Sequence, residues 1–149
     1  MKYTILILFF LGSHGLASQN NEILGIQNTI YTFFDSFHAR DAVAIQSTLH
    51  KSFELGSVLK TKEGAVFQGL EGKQFVDAVI FRPEKPVWIE ILGTLKINIS
   101  GPLAHVWAPY EFRVDDNFSH CGVNSIHLIK SDQGWKILNI TDSRLKQCD

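Results

Sequence analysis

The C-terminal third of this 149-residue chain carries Tyr110, His120, Asn124 and Asp142, four polar side chains embedded in otherwise apolar segments. An imidazole titrates near about 6.5, so His120 can give or take a proton close to neutral pH. Asp142 is the candidate to orient that ring, as a carboxylate does in many acid–base sites; the alternative is a salt bridge from Asp142 to Arg144 or Lys146. An Asn among apolar neighbours requires partners for its amide. For Asn124 these are a ligand carbonyl, Asp142 or backbone. Tyr110 offers a hydroxyl donor to a ligand, or simply an aromatic body for the core. Trp107, followed by Ala108-Pro109, is either a ligand contact or a residue packing at a sheet edge or dimer face. The catalytic candidates are therefore His120 and Asp142, and Tyr110, Asn124 and Trp107 are candidate ligand contacts. The chain has no G-x-S-x-G elbow, no H-E-x-x-H and no phosphate-cradling glycine loop, so hydrolase, metalloprotease and nucleotide-transfer chemistry lack a motif. No cofactor is expected.

These residues need a sheet to bring them together. Leu103 to Val114 and Phe118 to Lys130 read as two strands around the turn Asp115-Asp116-Asn117. With the turn centred on Asp116, Phe112 faces His120, Tyr110 faces Gly122, Ala108 faces Asn124 and Val106 faces Ile126. Val106, Ala108, Tyr110, Phe112, His120, Asn124, Ile126 and Leu128 then share the face with more apolar bulk, which is read as concave. A slip by one residue would replace that set by Trp107, Glu111, Arg113, Cys121 and His127. Before this hairpin, Val87 to Ser100 alternates as one long strand, with Ile89, Ile91, Leu95, Ile97 and Ile99 inward and Glu90, Thr94, Lys96 and Asn98 outward. After it, Ser131-Asp132-Gln133-Gly134 turns into a last strand through Asp142.

The N-terminal half is mainly helical. Ile23, Ile26, Ile30, Phe33, Phe34 and Phe37 recur at helical steps and predict a helix over about 22–39, its Asp35 and His38 solvated beside the stripe. Asp41 is the expected N-cap of a shorter helix to about Leu49, with Val43 and Ile45 facing inward. A hairpin follows from Phe53 to Gly69, and Glu71 to Phe81 is a third helix stopped by Arg82-Pro83. Helices gathered ahead of a run of antiparallel strands define an α+β domain with helices on one face of a curved sheet.

Lys2, the apolar run Tyr3 to Leu11 and the small residues Gly12, Ser13, Gly15, Ala17 and Ser18 read as a secretory signal peptide over residues 1–18. The expected product is one exported domain, periplasmic or secreted, over residues 19–149, without a membrane anchor. The formal net charge of the whole chain is −1. A near-neutral surface offers no footprint for nucleic acid. Cys121 and Cys148 enter an oxidising compartment, where they either pair or stay as separate thiols; spacing alone does not choose.

Three passages carry a family resemblance. Leu49-His50-Lys51-Ser52-Phe53, Gly69-Leu70-Glu71-Gly72-Lys73-Gln74-Phe75 and Gln133-Gly134-Trp135-Lys136-Ile137 occur in the order and spacing of the nuclear transport factor 2-like superfamily. The resemblance covers nearly all of the chain after the leader. The stretches Val106 to Phe112, His120 to Asn124 and Thr141 to Arg144 resemble SnoaL-related, lumazine-binding-type exported proteins. What the resemblance implies is a cone-shaped antiparallel sheet with three helices on its concave face and a pocket between them. It also implies that His50, just before the first strand, borders that pocket. The reading of function is a binder of a small apolar or aromatic molecule. The alternatives are a cofactor-free lyase or isomerase of SnoaL type using His120 as base, and a module that forms a homodimer through the convex face, near Trp107 and Val123.

Overall fold

The Phe and Ile stripe of the first helix forms one side of the core. Residues 13–148 are described by the computed structural model, with side chains from residue 19 onward. The expected leader over residues 1–18 thus lies outside the described side chains, and residues 1–12 lie outside the described backbone. Helix α1 (Ser13–Ala39) extends further toward the N-terminus than its stripe predicts. It buries Ile26, Ile30, Phe33, Phe34 and Phe37 against the sheet. Arg40 ends it with φ 59°, and the N–H groups of Arg40 and Asp41 donate to the carbonyls of Phe37 and Ser36. These two bonds make a Schellman cap in which an arginine takes the left-handed position usually held by glycine.

Asp41 then caps α2 (Ala42–Thr48) by accepting from the Ala44 N–H at 3.0 Å. Ile45 is fully buried as predicted, whereas Val43 is 79% exposed because residues two apart on a helix point to opposite sides. Strands β1 (Leu49–Thr61) and β2 (Gly64–Glu71) form the first hairpin, and α3 (Gly72–Phe81) follows with Phe75, Val76 and Val79 buried. A Glu71–Gln74 capping box opens it.

The rest is sheet: β3 (Trp88–Leu92), β4 (Lys96–Ser100), β5 (Leu103–Val114), β6 (Asn117–Ser131) and β7 (Gly134–Arg144). Their order is β2-β1-β7-β6-β5-β3, with β4 also paired to β5. All pairings are antiparallel except β1 with β7, which run parallel because the chain passes through α3 and the meander before returning beside β1. The sheet is open and curved, and the three helices cover its concave face, the α+β cone that the sequence implies.

From Phe112 onward the β5–β6 register is the expected one, with Phe112 opposite His120, Tyr110 opposite Gly122, Ala108 opposite Asn124 and Val106 opposite Ile126. Next to the turn the ladder is off by one, with Arg113 opposite Phe118 and Val114 opposite Asn117, and a bulge at Ser119 restores it. Asp115 and Asp116, both at positive φ, make the two-residue turn whose twist suits a hairpin. The predicted single strand over 87–100 is instead two. Leu92 pairs with Tyr110 and Lys96 with Trp107, so three residues of one strand stand against two of the other. This is a bulge, and it reverses the sidedness of the strand. Ile97 and Ile99 face inward as expected, but ahead of the bulge Trp88, Glu90 and Leu92 face the helices and Ile91 is exposed on the outside. The bulge coincides with Pro109, which lacks an N–H to offer the neighbouring strand; its carbonyl accepts from the Gly93 N–H at 2.7 Å.

Cys121 and Cys148 are joined in a disulfide, which returns the tail to the outer face of β6. On the inner face, a Cβ placed on Gly122 would lie 1.7 Å from the Ser143 carbonyl oxygen. The backbone of β7 occupies the space a side chain would need. Gly122→Ala is therefore expected to cost about 3 kcal/mol, the upper range for overpacking, and to lower Tm by roughly 10 °C for a domain of this size. Scanning calorimetry checks this, and an unchanged Tm would mean that β6 and β7 are not held this close.

Candidate functional site

Between the concave sheet face and the helices lies a cavity of about 400 Å³. Helices α1 and α3 contribute Phe33, Phe34, Phe37, Phe75 and Val79 to its wall, and the sheet adds Trp88, Phe112 and Ile140. Leu70, Ala78 and Arg144 are the exposed members of the lining, Leu70 and Ala78 on the α3 side and Arg144 at the end of β7.

Its polar groups come from four strands, with Ser57 of a fifth behind them. Asp142 of β7 stands in register with Ser57 of β1 on one side and Asn124 of β6 on the other. Arg144, two residues along the same face of β7, donates from Nε to Asp142 Oδ2 at 2.8 Å and from Nη2 to Ser57 Oγ at 2.8 Å. Ser57 in turn donates to Asp142 Oδ1. The Tyr110 hydroxyl lies 3.0 Å from both Asp142 Oδ2 and the Ser143 carbonyl, and its single proton goes to one of them at a time. Gly122, opposite Tyr110, permits this: with no side chain there, the Ser143 carbonyl comes within reach of the hydroxyl. Burial first, then the charges of Asp142 and Glu90, push the Tyr110 hydroxyl far above its ordinary pKa, so it remains a proton donor.

Glu90 of β3 is the residue sequence reasoning missed. It sits opposite Phe112, lines the cavity, and accepts from Asn124 Nδ2 through Oε1 at 2.7 Å. Asn124 faces Ala108, and that small side chain leaves room for the bond to cross β5. Glu90 is half-buried in the cavity lining, and the protein around it strips away most of its hydration. Desolvation, with a smaller push from Asp142, raises its pKa from 4.5 to about 7 against the opposing bond from Asn124. The signal that locates it is parity: Trp88, Glu90 and Leu92 fall on the face of Phe112 and Tyr110 once Gly93 and Pro109 are read as a bulge.

His120 lines the cavity, its ring stacked on Phe112 with centroids 4.8 Å apart and edge-on to Tyr110 at 5.7 Å. Burial and the Arg144 charge hold its pKa below the ordinary value, so the ring is neutral near pH 7. Among the described residues its Nδ1 pairs with Ser119 Oγ at 3.1 Å, and the hydrogen bonds of Asp142 go to Ser57, Tyr110 and Arg144. The expected orientation of His120 by Asp142 is thus replaced by the ion pair to Arg144. His38, expected in solvent, accepts from the Glu90 backbone N–H through Nε2 at 2.9 Å and so ties α1 to β3.

Two expected ligand contacts lie elsewhere. His50 borders a separate groove between β1 and α3, because the irregularity of β1 between Leu49 and Glu54 turns Phe53 into the core and leaves His50 outside the cavity. Trp107 alternates with the buried Val106 and Ala108, which puts it on the convex face, 44% exposed. Tyr110, His120, Asn124 and Asp142 share the cavity; His50 and Trp107 do not.

The three-helix α+β cone is an architecture shared by many solved structures. A nuclear transport factor 2-like protein with a cystatin-like fold from Novosphingobium aromaticivorans is 15% identical, covers 94% of each chain and has a TM-score of 0.73. A Mycobacterium tuberculosis protein of unknown function is 13% identical with the same TM-score, over 89% of this chain and 77% of its own. A Streptomyces avermitilis protein of the same family, with a provisional dehydratase assignment, is 10% identical at a TM-score of 0.66, over 87% of this chain and 99% of its own. The chain has the nuclear transport factor 2-like fold. No family model and no curated protein matches its sequence.

Glu90 also links stability to pH. The folded chain keeps its proton up to about pH 7, whereas the unfolded chain releases it near 4.5. Stability therefore falls as pH rises through that window, and the loss is complete above it. Glu90→Gln removes the ionisation. Its advantage over the parent chain should be absent at the acidic end and reach about 2–3 kcal/mol above neutrality, measured by urea unfolding at several pH values. A gap independent of pH would exclude a raised Glu90.

Proposed function

We propose that this is an exported domain that binds a small, largely apolar or aromatic molecule inside the cone. The observation that carries the reading is the cavity itself: about 400 Å³, walled by phenylalanines, with its polar groups gathered on the sheet side. That volume falls in the range of small-molecule sites, which are mostly apolar and use a few placed polar groups for orientation. The groups are held before any ligand arrives, since Asp142 and Asn124 already have protein partners. Walls fixed in advance lower the ordering cost of binding.

A hydrophobic naphthyl probe should quench Trp88, which lines the cavity, and raise Tm with increasing concentration. Ala78→Trp, on the exposed α3 side of the lining, should weaken that binding at least about tenfold with Tm of the free protein little changed. Equal binding by both proteins would place the probe outside the cone and remove the reading.

A second reading, a cofactor-free lyase or isomerase, is favoured by one specific observation. A carboxyl with pKa about 7 and a hydroxyl kept protonated face the same cavity, and environments that separate two titrating groups in this way suit acid–base work. The base in that case is Glu90 rather than His120, and Tyr110 is the donor. Turnover of a cavity ligand should then rise with pH through about 7 and fall roughly 100-fold or more in Glu90→Gln. A rate lost in His120→Ala and retained in Glu90→Gln would reverse the assignment.

A further inference from the structure

The charges inside the cone do not balance. Asp142 and Arg144 form an ion pair at 2.8 Å, further tied by Ser57, and so largely cancel. Glu90 has no such partner. Asn124 satisfies Oε1, while Oε2 has no hydrogen-bond partner among the described residues, and Glu90 lines the cavity. Every element around Glu90 is accounted for. β5 presents Tyr110 and Phe112, β6 presents His120 and Asn124, β7 presents the Asp142–Arg144 pair, and α1 offers His38, bonded to the Glu90 backbone. The guanidinium of Arg82, beyond α3, is stacked between Phe37 and Trp88 and donates to the carbonyls of Phe37 and His38. It is absent from the cavity wall. The remaining surroundings are aromatic: Phe33, Phe34, Phe75 and Phe112. An ionised carboxyl with one free oxygen among aromatic faces lacks only a positive charge, and ring faces attract cations as well.

We propose that the ligand of this cavity is an organic cation, a protonated amine on an apolar or aromatic body, with the Glu90 carboxylate as its counter-ion and Phe112 and its neighbouring rings around the charge. This rests on the small-molecule reading above and narrows it to one chemical class. A neutral alcohol would meet Glu90 through one hydrogen bond and leave the charge uncompensated; a carboxylic acid would face a like charge. The cation also fits the proton balance of the site. Glu90 must be ionised to act as counter-ion, so affinity for a cation rises with pH through the titration of the carboxyl, whereas an alcohol gains nothing.

The test compares three probes of one shape: 1-naphthylmethylamine, 1-naphthalenemethanol and 1-naphthoic acid. Each is titrated into the full chain by calorimetry at about pH 6 and about pH 8. At the higher pH the amine should bind at least about tenfold tighter than the alcohol, with the acid weakest. Lowering the pH should weaken the amine several-fold and leave the alcohol nearly unchanged. Glu90→Gln, its fold confirmed by circular dichroism, should bring amine and alcohol to similar affinity. Phe112→Leu, which keeps the carboxyl, should weaken the amine more than the alcohol. An alcohol or acid that binds as well as the amine, or an amine preference that survives Glu90→Gln, overturns the cation assignment while the cavity-binding reading stands. Failure of all three probes to bind overturns both.

Discussion

The interior of the cone depends on a reversal of sidedness between Leu92 and Lys96. A strand alternates its faces without exception unless a residue is inserted, and here the insertion sits opposite Pro109. On one side of it Ile97 and Ile99 complete an ordinary apolar core with Ala104 and Val106. On the other, Trp88 and Glu90 turn toward the helices beside Phe112. A regular strand that kept the β4 alternation would put Ile89 and Ile91 inside and Glu90 in water. The cavity would then lose Glu90, Asn124 would lose the carboxyl that satisfies it, and the ion-paired Asp142 would be the one acid left in the lining. One extra residue thus separates a filled core from a chamber with Glu90 in its wall.

The second organising element is Asp142. Three side chains from three strands converge on its two oxygens, so β1, β5 and β7 are fixed relative to one another at the depth where the cavity begins. Hydrogen bonds to a buried carboxylate are stronger than neutral ones, and the loss of any donor leaves the others to compensate. The opposite wall is built differently. Phe33, Phe34, Phe37 and Phe75 contact one another edge-on or stacked across α1 and α3, interactions that tolerate small shifts of ring and helix. Arg82 fastens this wall to the sheet by filling the space between Phe37 and Trp88 while capping the carbonyls at the end of α1.

Much of the fold was legible in sequence because the strongest signals were long and periodic. The α1 stripe and the Asp41 cap follow from spacing, and the structure agrees with each. The β5–β6 register holds from Phe112 onward, although the turn is one residue shorter than its spacing suggests and a bulge at Ser119 makes up the difference. The site was legible only where it lies on that hairpin and its neighbour: Tyr110, His120, Asn124 and Asp142 do meet in one cavity. Glu90 was hidden because the alternation of isoleucines from 89 to 99 looks unbroken, and a bulge at a Gly-Thr-Leu sequence changes parity without changing composition. The partner of Asp142 was open between His120 and Arg144. A distance in space decides it, and the geometry chose the arginine two residues away on the same strand face. His50 was carried by likeness to other chains, and a local irregularity of β1 is enough to point it elsewhere.

The missing side chain at Gly122 divides the cavity into two regimes of change. On the sheet side, backbone occupies the volume that a substituent would need, and the Tyr110 hydroxyl is anchored to that same backbone. Almost any replacement there displaces a strand. Across the cavity, the rings on α1 and α3 meet only other side chains, so exchanges among large apolar residues alter shape and volume without touching the hydrogen-bonded floor. A lineage drifting from this sequence would keep the position of its polar groups while reshaping the chamber above them. The same chemical handle would then be offered to molecules of different outline.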